Sequence, residues 1–499
     1  MSWVDVENFT YSYPGEQNPA LKDINLQIPM GAFVVITGNS GSGKSTLGKA
    51  LAGFLFQDES PDYSGKIIVN DQDMSLLPLY QASERVAYVQ QNPEDQFCTL
   101  TVLDEIAFGL ENKKIEPEKI NQKIDEVLEI VNGLDLRDRE LTTLSGGEKQ
   151  KVAIASMLAL SPYVLILDEP TSNLDPISTQ NVFETLYYII QNQALTVIII
   201  EHKLAQLKAF EAEMYSMEAG KLQPYQPEST FPPQMTSKEK KFSNFQQDRP
   251  VFRNSLINLT NIEISRNNQI ILRKINLQIE PGEFVALMGP NGSGKTTLLK
   301  TIIGFHKAQS GSIKVLDYEN ERIKTSALVP NLGFIFQNPD HQLFTQSVWD
   351  EAIFTSKNLG IFSERRQQKA QLWLEQIGLG ERIQDHPQRL SYGEKRRLNL
   401  VAAMLHEPQI LLIDELLIGQ DMANATHWLS LLKEFTEIGN AVLLVNHHPQ
   451  LTQKFCDRLI FLDNGEVIID NSIPTAFDEL AEQGYDPFLP NIEWERIHD

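Results

Sequence analysis

The chain carries one pattern twice. Leu21-Lys-Asp-Ile-Asn-Leu-Gln-Ile-Pro-Met-Gly31 returns as Leu272-Arg-Lys-Ile-Asn-Leu-Gln-Ile-Glu-Pro-Gly282. The echo keeps its register far beyond that segment: Lys44 and Lys295 lie 251 residues apart, Ser145 and Ser391 246, Asp168 and Asp414 246, His202 and His447 245. Nearly constant offsets over four separated motifs mean a duplicated domain and not a short solenoid repeat. At about 150 residues per domain, 499 residues also suit two large domains better than one core.

The repeat places a first domain at residues 1–222, a linker at 223–254, a second domain at 255–470 and a C-terminal tail at 471–499. Within the linker, Gln223 to Pro250 holds five prolines among mostly polar neighbours, which reads as an extended segment. At full stretch its 28 residues reach about 90 Å, ample for the two copies to face each other.

Each copy alternates short β-rich runs with helical patterns, the mark of an α/β domain with a mainly parallel sheet. Phe33-Val-Val-Ile-Thr37 and Phe284-Val-Ala-Leu287 read as strands entering glycine loops. Val164–Leu167, Ile410–Ile413, Val197–Ile200 and Val442–Val445 are uninterrupted apolar runs, as buried parallel strands require. Ile120, Ile124, Val127, Leu128 and Val131 fall at helical spacing and predict the packed face of a helical subdomain.

Charge narrows the partners. Lys and Arg total 43 against 66 Asp and Glu, a formal charge of −23, which repels a phosphate backbone and makes nucleic acid a poor candidate partner, so none is expected. The apolar runs are far shorter than the roughly 20 residues that cross a bilayer, and Met1 to Gly15 lacks the basic-then-apolar order of a secretory signal. Any membrane role must come through a partner. Cys98 and Cys456 read as ordinary thiols.

Two loops carry phosphate chemistry. Gly38-Asn39-Ser40-Gly41-Ser42-Gly43-Lys44-Ser45 and Gly289-Pro290-Asn291-Gly292-Ser293-Gly294-Lys295-Thr296 each follow a strand and precede an apolar helix. Glycines let successive N–H groups turn around phosphates, and the helix N-terminus adds positive potential. Lys44 or Lys295 reaches the outer phosphates, and Ser45 or Thr296 can hold Mg²⁺; the adjoining Thr46 and Thr297 join the nucleotide-binding set. Asp168-Glu169 and Asp414-Glu415 each close an apolar strand. One carboxylate can bind metal while the next orients or deprotonates water. Alone, such a pair is more often a solvated turn; beside a phosphate loop in both copies it reads as catalytic.

The remaining motifs carry a family resemblance. Leu144-Ser-Gly-Gly-Glu-Lys-Gln150, then Leu167-Asp-Glu-Pro-Thr-Ser-Asn-Leu-Asp175 and His202, resembles the signature, Walker B, D-loop and switch histidine of ABC-transporter ATPases. Leu390-Ser-Tyr-Gly-Glu-Lys395, Ile413-Asp-Glu415, Asp421 and His447 repeat the order. The resemblance implies two tandem P-loop ABC ATPase domains that sandwich two ATP molecules, each phosphate loop meeting the signature of the other copy, an intramolecular ATPase dimer. It makes Ser145, Gly146, Gly147, Ser391 and Gly393 nucleotide contacts, and Glu169, Glu415, His202 and His447 catalytic. Val89-Gln-Gln-Asn-Pro-Glu-Asp-Gln96-Phe and Ile335-Phe-Gln-Asn-Pro-Asp-His-Gln342-Leu-Phe look like the Q-loops of energy-coupling factor (ECF) ATPases. Gln91 and Gln337 would then be the Q-loop residues, close to Mg²⁺ together with Asp168 and Asp414.

That subtype implies a transmembrane coupling subunit and a small membrane substrate-binding subunit, uptake of a vitamin or a cobalt- or nickel-type ion, and a peripheral place on the cytoplasmic face of the cell membrane. The alternatives are the tandem ATPase of a sugar importer, whose second phosphate loop is typically degenerate, and a soluble ABC translation factor, which the acidic charge disfavours. The copies differ. Tyr13 stands where the family stacks a ring on adenine, and the second copy has Arg266 at the corresponding place; Tyr392 replaces the first signature glycine; and Leu416-Leu-Ile-Gly-Gln-Asp421 replaces Pro-Thr-Ser-Asn-Leu-Asp. Two unequal ATP sites are expected.

Overall fold

A computed structural model describes residues 2–15, 18–39, 41–57, 61–172, 174–192, 195–201, 207, 212–225, 255–266, 269–319, 323–417, 420 and 422–490. They form two compact units, one for each copy. The first contains β1 (Ser2–Ser12), β2 (Leu21–Pro29), β3 (Phe33–Thr37), α1 (Lys44–Leu51), β4 (Asp62–Val69), β5 (Gln72–Asp73), α2 (Leu79–Ala82), β6 (Val86–Val89), α3 (Val102–Asn112), α4 (Pro117–Ile130), α5 (Gly146–Ala159), β7 (Val164–Asp168), α6 (Pro176–Asn192), β8 (Thr196–Ile200), β9 (Glu213–Glu218) and β10 (Lys221–Pro224). The second contains β11 (Ile257–Arg266), β12 (Gln269–Ile279), β13 (Phe284–Met288), α7 (Lys295–Ile302), β14 (Ser310–Val315), β15 (Tyr318–Glu319), α8 (Thr325–Leu328), β16 (Leu332–Ile335), α9 (Val348–Asn358), α10 (Glu364–Gln376), α11 (Tyr392–Met404), β17 (Ile410–Asp414), α12 (Met422–Glu437), β18 (Ala441–Val445), α13 (Pro449–Phe455), β19 (Arg458–Asp463), β20 (Glu466–Ser472) and α14 (Ile473–Glu482).

The central sheet of the first unit runs β10-β9-β3-β8-β7-β6, and that of the second repeats it as β20-β19-β13-β18-β17-β16. All neighbours are parallel except the outer β9–β10 and β19–β20 pairs. The apolar runs owe their continuity to burial on both faces. Val34, Ile36, Ile166 and Ile198 point into one core, whereas Val35, Leu165, Leu167 and Val197 point into the other. Fully burying each such side chain contributes about 1.5–3 kcal/mol. The first core is closed by α1 and by an antiparallel sheet, β2-β1-β4-β5, repeated as β12-β11-β14-β15; the strand pattern of the sequence does not separate this second sheet from the first. The opposite core holds the helical part. On α4, Ile120, Ile124, Val127 and Leu128 are buried as their spacing predicts, with Val131 just beyond.

Two boundaries shift. Gln223 and Pro224 pair with Ser216 and Tyr215 in β10, so the first unit runs past residue 222, and residues 226–254 of the expected linker lie outside the described residues. The expected tail is corrected more deeply. β20 continues to Ser472, and Ile473, Ala476, Phe477, Leu480 and Phe488 are buried in the second unit's core, because α14 presents an apolar face to it. Residues 471–490 therefore belong to the second domain. Among the described residues no helix is long and apolar enough to cross a membrane, and both cysteines are free.

Candidate functional site

Each phosphate loop leaves the C-terminal end of a central strand, β3 or β13, and enters α1 or α7. Gly38 and Gly289 sit at φ 139° and 144°, with neighbouring carbonyls so near that an added Cβ would lie 2.1 Å from Met217 O and 1.9 Å from Leu462 O. Only glycine fits there. The buried Lys44 Nζ donates to the carbonyls of Gly38 (2.7 Å) and Asn39 (2.9 Å), and Lys295 Nζ to those of Gly289 (2.8 Å) and Pro290 (2.7 Å). Both ammonium groups thus curl over their own loop. Among the described residues Ser42 Oγ and Ser293 Oγ are buried without a hydrogen-bond partner, and an orphaned hydroxyl in a glycine loop suits an incoming anion. Gly41, Gly43, Gly292 and Gly294 also take positive φ; Ser40 lies outside the described residues.

The carboxylate pairs meet these loops at the ends of β7 and β17. Ser45 Oγ donates to Asp168 Oδ1 and Thr296 Oγ1 to Asp414 Oδ1, both at 3.1 Å. Gln91 Nε2 donates to Glu169 at 2.8 Å and Gln337 Nε2 to Glu415 at 3.0 Å. Glu169 and Glu415 adopt positive φ, 46° and 61°, a strained conformation for a side-chain-bearing residue, at the point where each strand ends. His447 Nε2 lies 3.0 Å from Glu415 Oε1. His202, its expected counterpart, lies outside the described residues, as do Asn173 and Asp421.

Burial sets the electrostatics. It raises the Asp414 carboxyl to about 6, with the adjacent Glu415 adding to the effect. Burial also raises Asp168, against hydrogen bonds from Tyr88 and Ser45. For Glu415 burial acts upward too, but His447, Gln337 and Arg396 outweigh it and hold the carboxyl below its ordinary range. One member of the second pair is thus poised to stay ionised while its neighbour is costly to ionise without a cation.

The signature serines have a local role. Ser145 and Ser391 cap α5 and α11, each accepting from the N–H of Glu148 or Glu394 while that glutamate accepts from the serine N–H. This is a capping box written in Ser-x-x-Glu, and it leaves each serine hydroxyl proton free to donate. Gly147 packs where a Cβ would lie 2.9 Å from Ser178, while Tyr392, in place of Gly146, turns its hydroxyl to the carbonyl of Gln337 at 3.2 Å. Strand register aligns Tyr13 with Arg266, through Val4↔Val69 in one copy and Ile257↔Val315 in the other; Tyr13 OH lies 3.2 Å from Thr46 Oγ1. Gln96 is held by Gln90 N–H and the Ala153 carbonyl, at 3.3 and 3.4 Å, and Phe344 is 63% exposed.

Three features escaped the sequence. Tyr88 donates to Asp168 Oδ2 at 2.5 Å where the second copy has Phe334. The buried Glu105 accepts from Cys98 N–H, Thr99 N–H and the Thr99 hydroxyl, and Glu351 from Phe344 N–H and Thr345 N–H, anchoring the chain after each Q-loop. Arg396 is fully buried beside Gln337 and Glu415. Its signal was available: the 246-residue offset aligns it with Gln150, so a charge replaces a neutral amide.

Glycine loops between strand and helix, with a hydroxyl–carboxylate contact to the strand two places along the parallel sheet, define the class of P-loop nucleoside triphosphatases. Within it, the family described as ABC transporter matches residues 21–172 and again 272–417. The chain belongs to this family and is an ABC-type ATPase with two fused nucleotide-binding domains. It is similar to a putative ABC transporter ATP-binding protein of Methanosarcina acetivorans, 32% identical over 98% of this chain and 89% of that one. It is likewise similar to the putative HMP/thiamine import ATP-binding protein YkoD of Bacillus subtilis, 31% identical over 95% of this chain and 92% of that one. CbiO1 of Clostridium perfringens, part of the ABC transporter complex CbiONQ, matches 44% of this chain and 87% of its own at 30% identity and TM-score 0.41.

Proposed function

We propose that the chain is the ATP-hydrolysing energy-coupling subunit of an ECF-type importer, working on the cytoplasmic face of the membrane through a transmembrane coupling subunit and a small substrate-binding subunit. The observation that carries the reading is the twin set of contacts, Lys to loop carbonyl, Ser or Thr to Asp, and Gln to Glu, built alike in both copies. The Gln-Asn-Pro Q-loops and the likeness to an HMP/thiamine import protein support the importer class. A vitamin or vitamin precursor is the substrate class this favours.

In this reading Lys44 and Lys295 leave their loop carbonyls for the outer phosphates of ATP. The oxygens of Ser45 and Asp168, and of Thr296 and Asp414, are hard donors that fit Mg²⁺, and the amide oxygens of Gln91 and Gln337 are assigned to the same set. No group of three or more His, Cys, Asp or Glu gathers among the described residues, so phosphate would complete the ligand set. Mg²⁺, when bound, neutralises charge on the phosphate oxygens. Glu169 or Glu415 orients the attacking water and takes its proton as the new bond to γ-phosphorus forms; the bond to the bridging oxygen breaks and ADP leaves. His447, which touches Glu415, is assigned to the γ-phosphate, and His202 is assigned the same task.

The test has two arms. Replacing both Lys44 and Lys295 by Ala should abolish Mg²⁺-dependent ATP hydrolysis, and affinity capture from detergent-solubilised cells should recover a polytopic membrane protein. Undiminished hydrolysis would refute the site assignment. Salt-resistant recovery with ribosomes in place of membrane proteins would refute the importer role.

A further inference from the structure

Arg396 is the largest side chain buried to 0% exposure, and among the described residues it faces no carboxylate side chain in a direct ion pair. Nη1 donates to the carbonyl of Glu415 and lies 3.4 Å from that of Asp414; Nη2 donates to the carbonyl of Gln337 and, at 3.0 Å, to the Tyr392 hydroxyl. That hydroxyl donates in turn to the same Gln337 carbonyl at 3.2 Å, and the guanidinium lies 5.3 Å from the Tyr392 ring centre. Three segments distant in sequence, the signature helix α11, the Q-loop after β16 and the end of β17, therefore converge on one planar cation.

Taking a guanidinium out of water is costly unless it finds acceptors; Nε makes no hydrogen bond among the described residues, so the two terminal nitrogens carry the contacts and need these carbonyls held in place. The converse also holds: carbonyls bound to a rigid fork are not free to wander. The first copy offers a built-in comparison. Gln150 occupies the equivalent place, 1% exposed, with its Nε2 atom making no hydrogen bond among the described residues, and Gly146 stands where Tyr392 does. Both copies share an exposed ion pair between signature helix and Q-loop, Lys149–Glu94 and Lys395–Asp340. The buried strap is particular to the second.

We infer that Arg396, braced by Tyr392, is a positioning residue of the second copy: it locks the Q-loop and the backbone of Glu415 to the signature helix, so that Gln337 and the Glu415 carboxylate are preorganised before nucleotide arrives. The functional half of this inference rests on the role given to Glu415 above; the mechanical half does not. It also accounts for the two departures together, since the tyrosine that spoils the orthodox signature is the one that completes the strap.

The experiment uses the full chain. Without nucleotide, hydrogen exchange in the wild type should be slower over 336–339 than over the equivalent 90–93, and R396Q, which installs the first copy's residue, should remove that difference while β13 and α7 keep their protection. In an E169Q background, where turnover reports the second copy's site, R396Q should lower kcat by on the order of tenfold to a hundredfold with KM for ATP unchanged, as expected for a misplaced catalytic group. Equal exchange of the two segments in the wild type would overturn the strap. So would an R396Q variant whose exchange rises evenly over the whole second unit, and an unchanged kcat would overturn the positioning role. If the E169Q chain shows no turnover at all, the role of Glu415 fails, and the exchange comparison still decides the strap.

Discussion

Single side chains decide how the two ATP sites differ. The first site has Tyr13, whose hydroxyl meets Thr46, and Tyr88 on Asp168; the second has Arg266 and Phe334 in those places, together with Arg396 behind Glu415. Loss of an adenine stack weakens substrate and transition state alike and should raise KM, whereas a disturbed γ-phosphate contact acts mainly on kcat. If each signature serves the opposite copy, the altered Ser391-Tyr392-Gly393 burdens the first site and the orthodox Ser145-Gly146-Gly147 serves the second. Glu415→Gln should then reduce kcat at saturating ATP more than Glu169→Gln does. Equal losses would show that the Tyr392 signature is fully competent, and the reverse order would make the second site a holding site.

At the level of elements, the signature helices are started by their own sequence. The capping box of α11 binds Glu394 to Ser391 N–H, and Arg382 Nη1 reaches Glu394 at 2.9 Å. Burial alone would raise the Glu394 carboxyl; the Ser391 and Arg382 contacts overcome it and hold the carboxyl below its ordinary value. A carboxyl depressed in the folded state adds stability above its unfolded pKa, near 4.3, and loses that contribution as pH falls through the folded value. Glu394→Gln keeps the cap geometry and removes the charge. It should lower the melting temperature by ~2–4 °C at pH 7, the equivalent of about 1 kcal/mol in a domain of this size, and by progressively less below about pH 4. A deficit that persists undiminished into acid would mean that the Glu394→Gln variant lacks the shape of the original side chain and not its charge.

For the whole molecule the governing fact is duplication with divergence. Two phosphate loops of equal geometry predict two nucleotides bound per chain, and because each lysine serves its own loop, K44A or K295A alone should leave one and the double variant none, as equilibrium dialysis would count. Loss of both nucleotides in either single variant would instead mean that the sites bind only as a pair. Much of this was legible in the sequence: the repeat, the phosphate loops, the Asp-Glu strand ends and the apolar face of α4 are all patterns over a few residues, in which backbone geometry or a short period imposes the residue type. What lay beyond the sequence is long-range. Tyr88 meets Asp168 across 80 positions and Arg396 meets Gln337 across 59, the antiparallel sheets close over α1 and α7, and α14 folds onto the second core instead of trailing as a tail. No local preference encodes those meetings; they exist because packing brings strand ends and helix starts to one edge of the sheet, where a buried cation or hydroxyl is stable only if the tertiary structure supplies its partners.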